Sequence, residues 1–419
     1  MDKFLIKGGK KLSGAVTIHG VKNAILPMIC GAMLAEEGVT VLKNVPLFND
    51  LDILCRLVNS YGIETHYNAE KRSLRISART IRDSETPYDL VKMMRASFLI
   101  SGALLGRQRH FVIPLPGGCA IGARPINYHL NGFMRLGAQI TESGGLIHAK
   151  AKKLKGAVIC LDYPSHTATE NLLMASVRAE GETVIQNAAC EPEITDFINL
   201  LNKMGARIKG ASSPTLIVEG VNSLRGVEYK VKPDRIVAGT LMAAAAITGS
   251  EVILYNVIME DIRMAVSKFQ DMGASITTTE GGIKFSSPDH LTAVDILTQP
   301  YPGFPTDLQP PFMAALSVAR GVSSIRETVF ENRFIHALEL NRMGANIRIT
   351  GDSAVVVGVP DLAGAPVMAS DLRGGAALVV AGLRAEGETV VDRVYHIDRG
   401  YDHLEAMLSS LGADIKRVR

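Results

Sequence analysis

The chain has 419 residues, enough for more than one hydrophobic core, because single cores stop growing at about 250 to 300 residues. Hydrophobic residues make up 47% and charged residues 21% of the chain, the balance of a globular protein. The net charge is only +3, and cations and carboxylates alternate along the sequence. Phosphate-backbone binding needs clustered cations, so the composition argues against nucleic acid and a membrane surface as partners.

The cysteines and the N-terminus indicate the cellular environment. The five cysteines are widely spaced, and no pair has CxxC spacing, which argues against a disulfide framework and a metal cluster. The opening stretch MDKFLIKGGKKLSG lacks the apolar core of a signal peptide. No apolar run approaches the roughly 18 to 20 residues of a membrane span. We therefore expect a cytoplasmic protein with no membrane segment and no bound metal.

In chain order, two predicted helix starts in the first hundred residues each carry a cation. HGVKNAILP places Lys22 and Asn23 where a strand turns into an apolar helix. Backbone N–H groups at a helix start favour an anion, and Lys22 adds a positive charge. MMRASFLISGALL places Arg95 at the head of another apolar helix, where the charge needs water or an anion. A solvated cation beside a helix cap is the alternative at both positions.

The next segment, PLPGGCAIGARP at residues 114–125, is too rich in glycine and proline for a helix or a central strand. It is predicted to be a mobile, exposed loop that carries Cys119 and Arg124. Exposed loops on a rigid scaffold often carry chemistry. Neighbouring cations lower the pKa of a thiol, which makes a thiolate accessible near neutral pH. A small buried structural cysteine is the alternative.

The second half of the chain places charged residues at element boundaries. YPGFPTDLQPP holds one carboxylate, Asp307, in a proline-rich loop that can aim it, with a plain helix N-cap as the alternative. ENRFIH, SDLRGG and HIDRGY supply Arg333, Arg373 and Arg399. If these boundaries face one cleft, the arginines gather around a polyanionic ligand. Isolated surface salt bridges are the alternative for each.

Two phrases recur along the chain with the same rhythm. The first, as in RLGAQI and KMGARI, follows an amphipathic helix, and its glycine is predicted to end that helix in a left-handed cap before a strand. The second, as in AEGETVI, precedes another strand. The glycines of the first phrase are Gly62, Gly137, Gly205, Gly273, Gly344 and Gly412. The glycines of the second phrase are Gly38, Gly106, Gly181, Gly249, Gly321 and Gly387.

The repeating unit is predicted as strand, helix, strand, helix and further strand, and it is too long for a solenoid repeat of about 20 to 50 residues. Six such units fit an α/β protein of two lobes, with a boundary near Pro233 in VKPDRIVAG. One large α/β sheet is the alternative.

The chain contains no Walker lysine motif, GxGxxG, HExxH or GxSxG, which argues against a nucleotide hydrolase, a dinucleotide oxidoreductase, a zinc protease and a serine hydrolase.

The motifs KNAILP, MRAS, PLPGGCAIGARP, EPEI, PDRI, YPGFPTDLQ, ENRFIH, DLR and HIDRGY occur in order along essentially the whole chain. In these motifs and their order, the chain resembles the UDP-N-acetylglucosamine 1-carboxyvinyltransferase family of enolpyruvyl transferases. The resemblance implies an α/β fold of two lobes, each an inside-out α/β barrel of three βαβαββ-type units. The first lobe would span residues 22–232 and carry the cysteine loop. The second would span residues 1–21 and 233–419 and carry Asp307 and the arginine cluster.

The resemblance also implies the reaction, which transfers enolpyruvate from phosphoenolpyruvate to the 3-hydroxyl of UDP-N-acetylglucosamine without a cofactor. Cys119 would be the general acid that protonates C3 of phosphoenolpyruvate, and Asp307 would be the base that takes the proton of the 3-hydroxyl. The antibiotic fosfomycin alkylates the cysteine at this position in the family. Lys22, Arg124 and Arg399 would hold the phosphate of phosphoenolpyruvate, and Arg333 and Arg373 would lie near its carboxylate. The substrate-binding set would be completed by Asn23, Arg95, Pro125, Ile126, Asn127, Tyr128 and the backbone at Val329.

The sequence departs from the family pattern at three places. The diphosphate loop of the family commonly reads SVGAT, and here it reads SHTAT, with His166 and Thr167 as the changed residues. Asn127 stands where an aspartate is usual. In the segment DLRGG, the letters RGG stand where the family more usually has Arg-Ala-Ser. A glycine lets the backbone approach a phosphate closely, so its loss bears on the diphosphate geometry. Two alternatives therefore stay open: an enolpyruvyl transferase acting on another nucleotide, and a catalytically silent regulator that binds a nucleotide sugar. The oligomeric state is left open.

Overall fold

A computed structural model describes residues 2–82, 86–116, 122 and 126–419 of the chain. The described residues form two compact units with separate hydrophobic cores. The central unit contains the described residues between 20 and 232, except residue 122. The terminal unit contains residues 2–19, 122 and 233–419. The assignment of residues 22–232 and of the remaining chain to two functional lobes stays a prediction.

The helices fall at the predicted apolar segments. In chain order they are α1 (Lys22–Ala32), α2 (Asn49–Ser60), α3 (Tyr88–Met93), α4 (Ile100–Gln108), α5 (Asn127–Arg135), α6 (His166–Ser176), α7 (Pro192–Met204), α8 (Arg235–Ile247), α9 (Arg263–Asp271), α10 (Gln309–Leu316), α11 (Ile335–Arg342), α12 (Leu372–Arg384) and α13 (Leu404–Ser410). The described residues also form four short 3₁₀ helices, at Arg95–Leu99, Met259–Ile262, Thr306–Leu308 and Val394–Arg399.

The strands are short, most of them three to five residues long. In chain order they are β1 (Lys3–Lys7), β2 (Ala15–Thr17), β3 (Ala35–Glu37), β4 (Thr40–Lys43), β5 (Glu64–Asn68), β6 (Ser73–Ser77), β7 (His110–Pro114), β8 (Gln139–Ser143), β9 (Leu146–Lys150), β10 (Val158–Cys160), β11 (Glu182–Gln186), β12 (Arg207–Lys209), β13 (Thr215–Glu219), β14 (Leu224–Arg225), β15 (Glu228–Lys230), β16 (Glu251–Tyr255), β17 (Ser275–Thr279), β18 (Gly282–Ser286), β19 (Ile296–Leu297), β20 (Val322–Arg326), β21 (Asn346–Thr350), β22 (Ser353–Val357), β23 (Pro366–Met368), β24 (Glu388–Asp392) and β25 (Asp414–Val418).

The sheets repeat one topology. In the described central unit the sheet orders are β15-β4-β6-β5, β7-β9-β8 and β10-β11-β13-β12, with a short β14-β3 pair. In the terminal unit they are β17-β18-β16-β2, β19-β20-β22-β21 and β23-β24-β1-β25. In every four-stranded sheet one edge strand runs parallel to its neighbour and the other pairings are antiparallel. Counted with the wholly antiparallel sheet β7-β9-β8, each described unit has three sheets of three or four strands, which agrees with the predicted repeats.

Buried helices fill the centre of each unit. In the terminal unit α8, α10 and α12 pack against one another and are almost entirely inaccessible to solvent. The small side chains of α8, as in the run Ala243–Ala246, let these helices approach closely. In the central unit α4 packs on α6, and α1 packs on α4 and α7. The strands alternate buried and accessible residues, so each sheet turns one face to the buried core. This is the predicted inside-out α/β arrangement.

The glycines of the first phrase adopt the predicted left-handed conformation, and most of those of the second phrase, for which none was predicted, adopt it too. All six glycines of the first phrase have φ between +79° and +113°, and the amphipathic helix α7 ends at Gly205 with φ of +113°. Five of the six glycines of the second phrase also have positive φ. Gly106 differs, because α4 runs on past it and Arg109 takes the left-handed conformation instead, with φ of +67°.

Two further glycines mark equivalent backbone contacts, one in each unit. A Cβ atom on Gly220 would lie 1.6 Å from the carbonyl oxygen of Ala179. A Cβ atom on Gly358 would lie 1.6 Å from the carbonyl oxygen of Ala319. Because no side chain fits at that distance, glycine is required at both positions for reasons of space.

Candidate active site

Asp307 of the terminal unit is held between two buried arginines. It lies in the 3₁₀ turn Thr306–Leu308, just before α10. Its Oδ1 accepts a hydrogen bond from Nη2 of Arg333 at 3.0 Å, and its Oδ2 accepts one from Nε of Arg373 at 3.1 Å. Arg333 is 3% exposed and Arg373 is 2% exposed. The predicted carboxylate and two of the predicted arginines therefore meet at one point.

The charges at this point decide the ionisation of Asp307. Burial alone would raise the pKa of Asp307, but the charges of Arg373 and Arg333 outweigh burial and lower it well below its usual range. The pKa of Arg373 is raised, because Tyr401, Asp307 and Asp234 outweigh the effect of burial on that guanidinium. The carboxylate and the guanidinium both remain charged over the whole physiological range.

The two arginines retain donors that Asp307 does not use. Nε of Arg333 and Nη1 of Arg373 are buried and have no hydrogen-bond partner among the described residues. A buried donor without an acceptor costs free energy, so such donors point to an acceptor group bound from outside. A carboxylate suits them, because guanidinium and carboxylate form short charge-assisted hydrogen bonds.

Local structure fixes where these side chains start. Asp371 is the N-cap of α12 and accepts hydrogen bonds from the backbone N–H groups of Arg373 and Gly374, both at 3.0 Å. This cap sets the first turn of α12 and so the direction of Arg373. Pro310 and Pro311 occupy the first turn of α10, where a missing N–H is tolerated, directly after Asp307.

A buried carboxylate that the sequence prediction missed supports the same region. Glu327, 4% exposed, accepts hydrogen bonds from Oγ1 of Thr298 at 2.8 Å and from Oγ1 of Thr306 at 2.9 Å. Its Oε1 also accepts from the backbone N–H of Val329 at 2.9 Å. Glu327 thus ties the predicted nucleotide-sugar contact at Val329 to the turn that carries Asp307.

Arg399, the remaining predicted arginine of the terminal unit, is half-buried at the end of the 3₁₀ helix Val394–Arg399. Tyr401 follows two residues later and is fully buried. Its hydroxyl lies 2.9 Å from Oγ1 of Thr240, and its ring lies 5.2 Å from the guanidinium carbon of Arg373. The short segment after Arg399 is therefore anchored beside Arg373.

In the central unit Lys22 is the first residue of α1, and it has a partner that the sequence did not reveal. Lys22 is 8% exposed, and its Nζ lies 2.7 Å from Oδ2 of Asp50, which is 1% exposed. Asp50 lies in the first turn of α2. The adjacent Asn23 is half-buried. Lys22 therefore has a fixed position, as a substrate-binding cation requires.

The other predicted residues of the central unit lie at helix starts or outside the described residues. Arg95 begins the 3₁₀ helix before α4 and is half-buried. Ile126 precedes α5, and Asn127 and Tyr128 form its first two positions. Cys119, Arg124 and Pro125 lie outside the described residues.

The departure SHTAT forms the start of α6. Ser165 is the N-cap and accepts from the backbone N–H of Ala168 at 3.4 Å. Nδ1 of His166 lies 3.2 Å from Oε1 of Glu170, which is 1% exposed. Burial would lower the pKa of His166, but Glu170, with Glu191 and Glu193, raises it to about 9. The first turn of α6 therefore carries an imidazolium at neutral pH.

Thr167, the other changed residue in SHTAT, is joined to a buried hydrogen-bond chain. Oδ1 of Asn171 accepts from the backbone N–H of Gly102 at 2.8 Å, which fixes the orientation of the amide. Nδ2 of Asn171 then donates to Nδ1 of His129 at 2.8 Å. The proton of His129 must therefore lie on Nε2, which faces Oγ1 of Thr167 at 3.4 Å.

The described ranges hold neither a cluster of metal-ligating side chains nor a membrane-spanning helix. Residues 2–82, 86–116, 122 and 126–419 contain no group of three or more His, Cys, Asp or Glu side chains placed to hold a metal ion. Among the helices of this part of the chain, none is both long and apolar enough to cross a membrane.

Comparison with known proteins places the chain in a family. A profile of the family described as EPSP synthase (3-phosphoshikimate 1-carboxyvinyltransferase) matches residues 6–408. The UDP-N-acetylglucosamine 1-carboxyvinyltransferase 1 of Caldanaerobacter subterraneus subsp. tengcongensis is 51% identical over 415 residues, which cover 99% of each chain. The chain belongs to the UDP-N-acetylglucosamine 1-carboxyvinyltransferase family. The protein of that name from Geobacter metallireducens is 49% identical over 419 residues and the full length of both chains.

Solved structures of this wider family have the same fold. The enolpyruvyl transferase NikO from Streptomyces tendae matches with a TM-score of 0.89 at 26% identity, over 100% of this chain and 99% of that one. EPSP synthase from Acinetobacter baumannii matches with a TM-score of 0.77 at 20% identity, over the whole of both chains. The family, the fold class and the activity class, a carboxyvinyl transferase, are therefore confirmed.

Proposed function

We propose that this protein transfers the enolpyruvyl group of phosphoenolpyruvate to the 3-hydroxyl of UDP-N-acetylglucosamine and releases phosphate. The main support for UDP-N-acetylglucosamine as the acceptor is sequence identity of 51% and 49%, over essentially the full length, to proteins named for that substrate. The geometry supports phosphoenolpyruvate as the enolpyruvyl donor. Arg333 and Arg373 hold the carboxylate of Asp307 in place, and each keeps a buried N–H group that could bind the carboxylate of phosphoenolpyruvate. In the cell the reaction would be the first committed step of peptidoglycan synthesis in the cytoplasm, and so would serve cell-wall growth, cell shape and division.

The first half of the proposed reaction is an addition. Asp307 takes the proton of the sugar 3-hydroxyl, and the hydroxyl oxygen bonds to C2 of phosphoenolpyruvate. Cys119 gives its thiol proton to C3, which becomes a methyl group. Lys22, Arg124 and Arg399 would hold the phosphate, and fixed cations of this kind stabilise the charge without reorganisation.

The second half is an elimination. The bond between C2 and the phosphate oxygen breaks, and phosphate leaves with the electron pair. C3 returns a proton to the thiolate of Cys119, and the C–H electron pair restores the double bond. The other predicted substrate contacts would place the nucleotide sugar, namely Asn23, Arg95, Pro125, Ile126, Asn127, Tyr128 and Val329. Holding the sugar hydroxyl and phosphoenolpyruvate in the correct orientation lowers the entropic part of the activation barrier.

The clamp on Asp307 has a consequence for its role as base. While both arginines bind it, its pKa lies far below that of a useful base. The carboxylate of phosphoenolpyruvate would occupy the free donors of Arg333 and Arg373 and add a negative charge beside Asp307. Both effects raise the pKa of Asp307, so the base would gain strength only after phosphoenolpyruvate has bound.

The test is phosphate release from phosphoenolpyruvate with three acceptors in parallel: UDP-N-acetylglucosamine, UMP and shikimate 3-phosphate. We expect release only with UDP-N-acetylglucosamine, and loss of release with every acceptor in Asp307→Asn. The matched control is Asp352→Asn, which removes an exposed carboxylate paired with Arg326 in the same unit. Release only with a different acceptor would keep the fold and the chemistry but move the protein to a different pathway, with His166, Thr167 and Asn127 as the first residues implicated. No release with any acceptor would favour a silent regulator.

The role of Cys119 has a separate test. We expect fosfomycin to add its mass to the wild type once, in the peptide that contains Cys119, and not to Cys119→Ala. The variant should lose at least about 99% of the wild-type rate, because removal of a general acid typically costs two to four orders of magnitude. Binding of UDP-N-acetylglucosamine, measured by calorimetry, should remain. Loss of both binding and folding would contradict this role and indicate a structural cysteine.

A further inference from the structure

We propose that Arg417, near the C-terminus, is a positioning residue that fixes Arg399 for the substrate phosphate. Arg417 lies on β25, directly opposite Phe4 of β1. Its guanidinium binds Asp398 in a bidentate manner, with Nη1 2.9 Å from Oδ2 and Nη2 2.6 Å from Oδ1. Asp398 immediately precedes Arg399 in the chain. The inference rests on the proposed function, because it assigns a purpose to the position of Arg399.

The same guanidinium holds the other side of the segment. Its Nε lies 2.9 Å from Oε1 of Glu405 and its Nη2 lies 3.3 Å from Oε2, and Glu405 lies in the first turn of α13. Nη1 also lies 3.2 Å from Oδ2 of Asp2. One arginine on β25 therefore contacts the 3₁₀ helix that ends at Arg399, the following helix α13, and Asp2, which precedes β1.

The contact is more than an ordinary surface ion pair. The side chain of Arg417 is 25% exposed, that of Glu405 is 13% exposed, and the guanidinium carbon lies 5.0 Å from the ring centre of buried Phe4. The carboxylates of Asp398 and Glu405 raise the pKa of Arg417 above its usual value. A bidentate, partly buried arginine network is the kind of ion pair that holds geometry, unlike an isolated exposed pair.

The backbone around Arg399 depends on such external contacts. Arg393 and His403, at the two ends of the segment, have left-handed conformations with φ of +59° and +52°. Non-glycine residues keep this conformation at an energetic cost that surrounding contacts must offset. Tyr401 anchors the segment on the side of Arg373, and Arg417 anchors it through Asp398 and Glu405. Arg399 is thus carried between two fixed points.

Charge gives a second reason why Arg417 is needed. Three carboxylates surround one guanidinium, so removal of Arg417 leaves Asp398, Glu405 and Asp2 without their common counter-charge. Asp398 would then be an uncompensated anion next to Arg399 in the chain. An anion there competes with the substrate phosphate for the guanidinium of Arg399, so loss of Arg417 weakens phosphate binding in particular.

The experiment compares Arg417→Met, Arg417→Lys and Asp398→Asn with the wild type. The control is Arg326→Met, which removes an exposed arginine that pairs with Asp352 on a hairpin of the same unit. For each protein we measure KM for phosphoenolpyruvate, KM for UDP-N-acetylglucosamine, the melting temperature, and the dissociation constant of inorganic phosphate by calorimetry. Inorganic phosphate is the probe that reports on Arg399 without any turnover.

We expect Arg417→Met to raise KM for phosphoenolpyruvate and the dissociation constant of phosphate about tenfold, a loss of about 1.4 kcal/mol. KM for UDP-N-acetylglucosamine should stay within about twofold. Arg417→Lys should lie between, because an ammonium keeps the charge but not the bidentate geometry. Asp398→Asn breaks the same bidentate contact but leaves no competing anion, so it should shift in the same direction as Arg417→Met by a smaller factor. Arg326→Met should leave all binding constants unchanged.

A lower melting temperature with unchanged phosphate affinity would overturn the proposal, because Arg417 would then be structural only. Equal changes in both KM values would overturn it as well. If Arg417→Met does not fold, phosphate affinity in Arg417→Lys and Asp398→Asn decides. Failure of the proposed function is a distinct outcome: the wild type would then release no phosphate with UDP-N-acetylglucosamine, whereas the phosphate titration still measures the effect of Arg417.

Discussion

Lys22 and Asp50 form an ion pair that is almost closed to solvent, with 2.7 Å between Nζ and Oδ2. Removal of one member of a buried pair leaves an uncompensated charge, at a typical cost of about 3–5 kcal/mol. A substitution of Lys22 would therefore reduce stability, apart from any effect on the proposed binding of phosphate. The fixed position of Lys22 is useful for a cation that must meet a phosphate, because little side-chain entropy remains to be lost on binding.

His166 gives a residue-scale prediction about pH. Its pKa is raised to about 9, so the stability it contributes is complete below the ordinary histidine pKa of about 6.5 and is lost as the pH rises through 9. We expect His166→Gln to reduce the free energy of unfolding by about 2 kcal/mol at pH 7. The difference from the wild type should shrink towards zero above pH 9.

Urea unfolding of both proteins at pH 6, 7.5 and 9.5 measures this difference. The control is His148→Gln, which removes a histidine whose Nε2 lies 3.4 Å from Oγ of Ser143 on a surface hairpin. A constant difference at all three pH values would contradict an ion pair between His166 and Glu170.

The residues that the sequence predicted and those that it missed differ in one physical respect. Asp307, Arg333 and Arg373 stand in distinctive loops or at helix starts, so motif and composition single them out. Asp50 and Glu327 are ordinary carboxylates whose partners lie many positions away, and only the fold brings them to Lys22 and Thr306. A buried ion pair leaves no local signal in a single sequence.

At the scale of helices and strands, the recurring glycine at the end of a helix is the feature that the sequence predicted best. A glycine there has a backbone reason that acts within a few residues. Gly106 shows the limit of this reasoning, because its phrase resembles the others while α4 continues past it to Gln108. The order of strands in each sheet was not predictable, since it depends on pairings between distant segments.

Gly344 supplies the prediction at this scale. It follows α11 with φ of +91°, and nothing lies within 4 Å of the position that a Cβ would occupy. Gly344→Ala therefore adds no clash, and the only cost is the left-handed backbone, about 1 kcal/mol. Gly344→Asn is the matched variant, because asparagine tolerates this conformation better and should cost less.

Urea midpoints of the two variants and the wild type measure the effect of Gly344. An alanine variant as stable as the wild type would show that the left-handed cap does not hold the end of α11. An asparagine variant less stable than the alanine variant would contradict the backbone explanation.

At the scale of the whole molecule, the two units have separate cores and separate sets of sheets. Leu201 of α7 belongs to the core of the central unit, and Leu378 of α12 belongs to the core of the terminal unit; both are completely buried. We expect the heat absorption of the protein to resolve into two components in calorimetry. Leu201→Ala should lower one melting temperature and Leu378→Ala the other, each by about 5–10 °C for a cost of about 3 kcal/mol.

The pair of variants serves as its own control, because each removes the same atoms from a different core. Two variants that shift one common transition by the same amount would contradict independent unfolding of the units. The sequence predicted two lobes from the number of repeats and from Pro233, whereas the separate cores are visible only in the packing.

Gly220 and Gly358, one in each unit, have one more consequence. A growth selection that scanned every position of the chain would find these two glycines as intolerant as Asp307. Their intolerance would come from the 1.6 Å between an added Cβ and a carbonyl oxygen, and it would persist in a variant with no activity at all. Such a scan ranks positions by loss of growth, which does not separate loss of folding from loss of activity. Mapping the active site therefore requires a second selection for folded protein alone. In that selection variants of Gly220 and Gly358 would still fail, and variants of Asp307 would pass.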